Sequence, residues 1–206
     1  KAVNPIGVMG ATKLLGEKLI AAEAFHDKAN TIFASVRFGN VFNTRGSILP
    51  RIEKQISEGG PITLTNPEMK RFFMTKDDAI NLIISATTIA KGGETFVLKM
   101  PLIRLDDLFE AMKNLLSSKY NYDSSQIKTK IIGTRPGEKL IEYLLSEFEI
   151  ENTFETKEFF IIPPLNVPMK SYPNAKKPKN PQSYFKEIKT ISKKEITKIL
   201  KNIYDY

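Results

Sequence analysis

The spacing of apolar residues divides the chain into alternating helices and strands. Over residues 7–26 apolar positions recur at helical intervals, with Leu14, Leu15, Leu19 and Ala22 among them. Asn4-Pro5 supplies a turn before this helix, Asn30 ends it, and His26 sits in its last turn, where a partial positive charge suits the helix dipole. Residues 31–38, TIFASVRF, are rich in β-formers and read as a buried strand. Gly39-Asn40 follows that strand, where open α/β sheets place ligand-binding loops. A second helix is predicted over Ile48–Ser57, closed by Gly59-Gly60, and a short strand over residues 62–65. Thr75 is a suitable N-cap for a helix that carries Asp77 and Asp78 in its first turn and runs to about residue 90. Further elements are predicted as a strand at 95–99, a helix over Leu105–Leu116 begun by Asp106 and Asp107, a strand at 128–132 and a helix at 137–145.

The pattern changes after Glu151. A short apolar strand, Phe159–Ile162, runs into Pro163-Pro164, and residues 163–181 are rich in Pro and Lys and read as loop. Ser192 and Glu195, three apart, have the spacing of a capping box before a last helix with Ile196, Ile199, Leu200 and Ile203 on one face. No internal repeat is present. Alternating strands and helices in the first half predict a parallel α/β sheet, followed by smaller elements of the kind that cap a substrate.

Composition narrows the function. The 206 residues are 41% hydrophobic, enough for a core. No stretch reaches the roughly 20 apolar residues of a membrane helix, and no signal peptide is visible. The absence of Cys excludes disulfides and thiolate metal sites within the chain, and His26 as the single histidine excludes a multi-histidine zinc site. The net charge of +8 lies largely in the last third, around Lys176, Lys177, Lys179, Lys193, Lys194, Lys198 and Lys201. It suits a solvated face, a nucleic acid or a phosphate-bearing small substrate, and charge alone does not choose among them. The chain opens at Lys1 with no strand, turn and helix before Ala2-Val3-Asn4-Pro5, and is expected to be the carboxy-terminal portion of a longer domain.

Three groups of residues carry candidate chemistry. Met9 and Lys13 are spaced i, i+4 on the first helix, the spacing that joins a Tyr to a Lys in short-chain dehydrogenases. A Lys there binds the nicotinamide ribose, but a thioether exchanges no proton, so Met9 is not a general base. The second group lies in SVRFGNVFNTRGSILPRIEKQISEGGPITLTNPEMKRFFMT, from Ser35 to Thr75, and the third in Gly133-Thr134-Arg135-Pro136-Gly137-Glu138-Lys139-Leu140. Pro136-Gly137 makes a tight turn, and a helix start after it attracts anions. A guanidinium suits a diphosphate, because its planar fork bonds two oxygens. Phe72 and Phe73 read as core.

These segments, with KAVNPIGVMGATKLLGEKL, resemble the polysaccharide-biosynthesis branch of the extended short-chain dehydrogenase/reductase family, over roughly residues 1–150. That branch includes UDP-N-acetylglucosamine 4,6-dehydratases and capsule and flagellin-glycan enzymes, and many members carry Met in place of the Tyr. The resemblance implies a partial Rossmann-like, NAD(P)-binding parallel sheet over residues 1–60, a smaller α+β nucleotide-sugar subdomain over 61–150 and a carboxy-terminal extension over 151–206. It implies that Lys1 helps abstract the proton at sugar carbon 5, and places Met9 and Lys13 in the catalytic constellation, with Lys13 on the cofactor. Asn40, Arg45, Ser47, Arg71, Arg135 and Glu138 are implied on the substrate side, Arg71 and Arg135 at the diphosphate and Glu138 at the uridine ribose. The implied cofactor is NADP or NAD, although no Gly-rich dinucleotide loop occurs in the chain. The expected partner is a UDP-sugar, with no nucleic acid and no membrane segment, in a cytoplasmic homo-oligomer. The activity implied is 4,6-dehydration of UDP-N-acetylglucosamine. A 4- or 5-epimerase of the same family, or a non-catalytic nucleotide-sugar-binding module, stands as the alternative.

Overall fold

A computed structural model of the chain describes residues 1–26, 31–164, 172, 174–179 and 188–204. In chain order the elements are α1 (Val8–His26), β1 (Ser35–Arg37), β2 (Asn40–Val41), α2 (Ile48–Ser57), β3 (Ile62–Leu64), β4 (Lys70–Met74), α3 (Lys76–Ile89), β5 (Thr95–Leu98), β6 (Leu102–Arg104), α4 (Leu105–Leu116), a 3-10 turn (Ser118–Tyr120), β7 (Thr129–Ile131), α5 (Glu147–Asn152), β8 (Phe154–Glu155), β9 (Phe159–Ile162) and α6 (Lys193–Tyr204). They form two compact units, each discontinuous in sequence: Lys1–Phe38, Lys76–Met100 and Tyr143–Ile188 make the first, and Gly39–Thr75, Pro101–Glu142 and Lys189–Tyr206 the second. Each of the three consecutive segments expected from the sequence contributes to both units.

The first unit is built on the sheet β1-β5-β9-β8. β1 and β5 are parallel, as the alternation of strands and helices predicts, while β9 runs antiparallel to both β5 and β8. Strand alternation sorts the side chains onto two faces. Phe96, Phe159 and Ile161 pack with Leu82 and Ala86 of α3, and Val97 and Phe160 pack with Leu145 and Ile150. The predicted strand at 31–38 shortens to Ser35–Arg37, the residues that find partners in Thr95–Val97. Asn30 and most of the loop predicted at 163–181 lie outside the described residues.

In the second unit, β2-β4-β6 and β3-β7 form two small sheets. Their core is shared with α2, α4 and α6. Leu49, Ile52 and Ile56 of α2 meet Leu105, Leu108, Phe109 and Met112 of α4, and Ile196 and Leu200 of α6 close the cluster. Burying one such side chain contributes about 1.5–3 kcal/mol, so this triad of helices holds β3 and β4 in place. Phe73 is fully buried and stacks on Phe42, with ring centroids 4.7 Å apart, and Phe72 is buried beside it, so both are core as expected.

One predicted element is corrected. Residues 137–145 are not helical: Gly137 has φ +78°, and the Leu140 carbonyl accepts the backbone N–H of Lys70, with Ile141 bridged to Lys70 alongside β4. The helix starts later, at Glu147, where Ser146 and Glu149 cap one another. The apolar run Leu140–Ile141–Tyr143–Leu144–Leu145 has helical composition, but Lys70 of β4 takes the Leu140 carbonyl, and the Leu144 carbonyl accepts the Arg37 guanidinium.

Candidate functional site

Within the second unit, one end of the β2-β4 pair, the face of α2 and the strand β3 enclose a cleft of about 150 Å³. α2 contributes Ile48, Arg51 and Ile52, positions i, i+3 and i+4 on one helix face. Leu105 and Phe109 of α4 supply apolar lining, and Thr63, Leu64 and Thr65 come from β3 and its end. The polar and charged lining is Asn40, Arg51, Thr63, Thr65, Arg71, Arg135 and Glu138. Four of the six residues implied on the substrate side therefore meet here, although they lie nearly a hundred positions apart in the chain. The other two stand outside the lining: Arg45 is exposed, and the Ser47 hydroxyl accepts the backbone N–H of Thr44 at 3.2 Å in the turn before α2.

Each member is held by a local device. Asn40 sits in β2 opposite Phe73, so its position follows from the β2-β4 register. Arg71 is 7% exposed, and its Nη1 donates to the carbonyls of Lys70 at 2.8 Å and Leu140 at 3.0 Å. Its Nε lies 3.8 Å from Glu142. Arg135-Pro136-Gly137-Glu138 forms a β-turn in which Glu138 N–H donates to the Arg135 carbonyl at 3.0 Å. Pro at the second position and Gly at φ +78° at the third are what a type II turn requires. A Glu138 carboxylate oxygen also accepts the Arg135 backbone N–H at 3.1 Å, which folds the Glu138 side chain back onto the turn. Since no helix starts there, the anion attraction expected from a helix amino terminus is absent, and the positive field of this loop comes from Arg135 itself.

Three guanidiniums against one carboxylate leave the lining with two net positive charges. Arg71 is buried and acts at reduced screening, while Arg51 and Arg135 are exposed to solvent. The volume lies below the roughly 300 Å³ of a complete small-ligand site, so the cleft has room for part of a nucleotide sugar. Arg51, Thr63 and Thr65 were not singled out from the sequence. The signals were there: Arg51 shares a helix face with Ile48 and Ile52, and strand alternation in ITLT puts Thr63 and Thr65 on one side.

The remaining candidate residues belong to the first unit. Met9 and Lys13 are exposed on α1, and Lys1 is exposed in the segment before it. A Cβ at Gly10 would lie 2.8 Å from the Lys1 carbonyl oxygen and 2.8 Å from Pro5 Cβ. Only glycine permits that approach, which lays the Lys1 backbone on α1 one residue from Met9. Among the described residues no cluster of acidic or histidine side chains could hold a metal ion, and no helix is long and apolar enough to cross a membrane.

Residues 1–164 match the family model of polysaccharide biosynthesis proteins, and the chain belongs to that family. It is 48% identical over 98% of its length to an uncharacterized membrane protein of Methanocaldococcus jannaschii, of which it covers 60%. It is 48% identical over 73% of its length to the capsular polysaccharide biosynthesis protein CapD of Staphylococcus aureus, of which it covers 24%. An inverting UDP-N-acetylglucosamine 4,6-dehydratase from Campylobacter jejuni and a UDP-glucose 4-epimerase from Rickettsia canadensis are 36% and 37% identical over 80% and 79% of the chain, each covered to 46%. The chain thus spans between 24% and 60% of the length of these relatives. Among solved structures, that of Pen from Bacillus thuringiensis superposes with a TM-score of 0.83 at 41% identity, over 98% of this chain and 59% of that one. A UDP-N-acetylglucosamine 4-epimerase from Methanobrevibacter ruminantium superposes with a TM-score of 0.52 at 18% identity over 70% of this chain and 46% of its own, a likeness of fold alone. The α/β, Rossmann-like class expected from the sequence holds.

Proposed function

We propose that the cleft binds the diphosphate part of a UDP-linked N-acetylhexosamine, and that the full-length protein is an NAD(P)-dependent 4,6-dehydratase of that substrate. The observation that carries this reading is the convergence of Asn40, Arg71, Arg135 and Glu138 on one cleft with two net positive charges. A sugar-linked diphosphate carries about two negative charges, one on each phosphate, and guanidiniums match its oxygens in pairs. The Arg135–Glu138 turn sets a cation beside an acceptor, an arrangement suited to a diphosphate next to ribose hydroxyls.

A bound nicotinamide would supply reversible hydride acceptance at the sugar. Lys13 fits the hold on such a group: it is exposed on α1, i+4 from Met9, and free to donate to a ribose hydroxyl. Lys1, laid on α1 by Gly10, is the residue proposed to take the proton at sugar carbon 5. Met9 exchanges no proton, so the base for the carbon-4 hydroxyl, which dehydration and 4-epimerisation both need when hydride leaves carbon 4, is another group. Arg45 and Ser47 remain proposed substrate contacts on the resemblance alone. We place the protein in the cytoplasm, with the nucleotide sugars it would use, and as a homo-oligomer, on the exposed Val8, Leu15 and Leu19 of α1.

The test is product analysis with the full-length protein, UDP-N-acetylglucosamine and NAD(P) in deuterated water. A product lighter by one water, labelled at carbon 5, supports the dehydratase. An epimer of unchanged mass without label contradicts it.

A further inference from the structure

Arg51 is the charged member of the cleft that no motif accounts for, and its surroundings give it a defined chemistry. Gln55, one turn further along α2, reaches β3 with both ends of its amide. Its Nε2 donates to Thr63 Oγ1 at 2.8 Å, and its Oε1 accepts the Thr63 backbone N–H at 3.0 Å. Arg51 Nη2 donates to the same Thr63 Oγ1 at 3.3 Å. A hydroxyl oxygen has two lone pairs and one proton. With both lone pairs taken, Thr63 is left able only to donate. Arg51 is donor-only by nature, with five N–H groups of which this long contact occupies one, and no carboxylate of the described residues pairs with it. Arg71 is different, being buried and spent on the backbone carbonyls of Lys70 and Leu140. The Arg51–Thr63 corner is therefore a set of donors aimed into the cleft with no acceptor to satisfy them.

We propose that Arg51, with the Thr63 hydroxyl beside it, binds a phosphate oxygen of the nucleoside diphosphate and is a specificity-determining residue for diphosphate over nucleoside. The proposal rests on the reading of the cleft as a nucleotide-sugar site and adds a residue to it. Arg51 and Arg135 are then the two guanidiniums whose donors are left for the ligand, since Arg71 is taken up by Lys70, Leu140 and Glu142. Gln55 is the positioning residue, since it turns Thr63 so that its lone pairs face α2 and its proton is left for the ligand. Arg51 is exposed, so its replacement removes donors without emptying the core.

The experiment is calorimetric titration of the full-length protein with UDP and, separately, with uridine, comparing wild type, Arg51→Gln and Thr63→Val. Arg51→Gln is expected to weaken UDP by about ten-fold or more and to leave uridine unchanged, and Thr63→Val to weaken UDP by less. The UDP affinity of Arg51→Gln is also expected to fall less steeply with salt. Unchanged UDP affinity in Arg51→Gln overturns the assignment while leaving the site in place. Equal losses for uridine and UDP also overturn it, placing Arg51 on the nucleoside. Failure of the wild-type protein to bind UDP overturns both this assignment and the reading of the cleft on which it rests.

Discussion

Arg37 at the end of β1 grips Glu17 of α1 with two parallel hydrogen bonds, Nε to Oε1 at 2.8 Å and Nη2 to Oε2 at 2.6 Å. Its other donors go to Glu149 of α5, at 3.0 and 2.7 Å, and to the Leu144 carbonyl at 2.9 Å. One guanidinium, 8% exposed, thus ties the first helix, the first strand and the α5 cap together. Glu17 stands one helical turn beyond Lys13 and two beyond Met9 on the same face of α1. The grip therefore sets the rotation of the helix that presents both.

Replacing Arg37 with Met leaves two largely buried carboxylates without their partner. The expected loss is about 3–5 kcal/mol of unfolding free energy, the scale for breaking a buried pair from one side. Chemical denaturation of the full-length protein measures it. Adding Glu17→Gln and Glu149→Gln to Arg37→Met should recover much of the loss, and a triple variant no better than the single one would contradict the assignment.

Acid should loosen the same junction. Burial pushes the Glu149 carboxyl up, but hydrogen bonds and charge from Arg37, with bonds from Ser146, outweigh it and hold the group below the ordinary carboxylate range. A carboxylate depressed in the folded state contributes stability above its unfolded pKa, about 4.3, and loses it as pH falls through the folded value. Denaturation midpoints followed downward from pH 5 should therefore fall more steeply in wild type than in Glu149→Gln. Parallel acid limbs would show that Glu149 is not the titrating group.

Two glycines of α1 should respond oppositely to the same change. Gly10→Ala drives a methyl into the Lys1 carbonyl and Pro5, and should cost about 1–3 kcal/mol as the 1–5 segment is pushed off the helix. Gly16→Ala meets nothing within 4 Å and should stabilise by about 0.5–1 kcal/mol through helix propensity. Thermal denaturation distinguishes them, and a destabilising Gly16→Ala would count against the helix packing described.

Lys13→Ala should weaken nicotinamide cofactor binding in the full-length protein by about 1.5–3 kcal/mol, the scale of a charged hydrogen bond. Met9→Leu conserves volume at an exposed position and should cost less than about 1.5 kcal/mol. Fluorescence titration with the reduced cofactor gives both numbers. Loss of chemistry in a folded Met9→Leu variant would remove Met9 from its spectator role.

What the sequence revealed and what it hid follow one division. Local devices were legible: Ser192 and Glu195 cap α6 reciprocally, with Ser192 N–H donating to the Glu195 carboxylate at 2.8 Å and Glu195 N–H to Ser192 Oγ at 3.3 Å. The buried Ile196 and Leu200 follow from helical spacing. Elements decided by distant partners were not. β4 and β6 exist because Lys70–Phe72 pair antiparallel with Leu102–Arg104, and nothing local in KRFFM names that partner. Residues 137–145 look helical until Lys70 claims the Leu140 carbonyl. In the cleft, Asn40, Arg71, Arg135 and Glu138 were marked by motif. Arg51 was not, because a lone Arg inside a helix reads as a solvated charge until β3 is seen beside it.

We assign the Arg135–Glu138 turn to a UDP-binding cleft. The most direct test is calorimetric UDP affinity of the full-length protein, wild type against Arg135→Lys and Glu138→Gln. An ammonium cannot reproduce a two-pronged phosphate contact, so Arg135→Lys should weaken UDP by about ten-fold. Glu138→Gln should weaken UDP and uridine alike, as the loss of a ribose contact. Unchanged affinity in both variants would overturn this assignment and leave Arg135-Pro136-Gly137-Glu138 as a turn with no ligand.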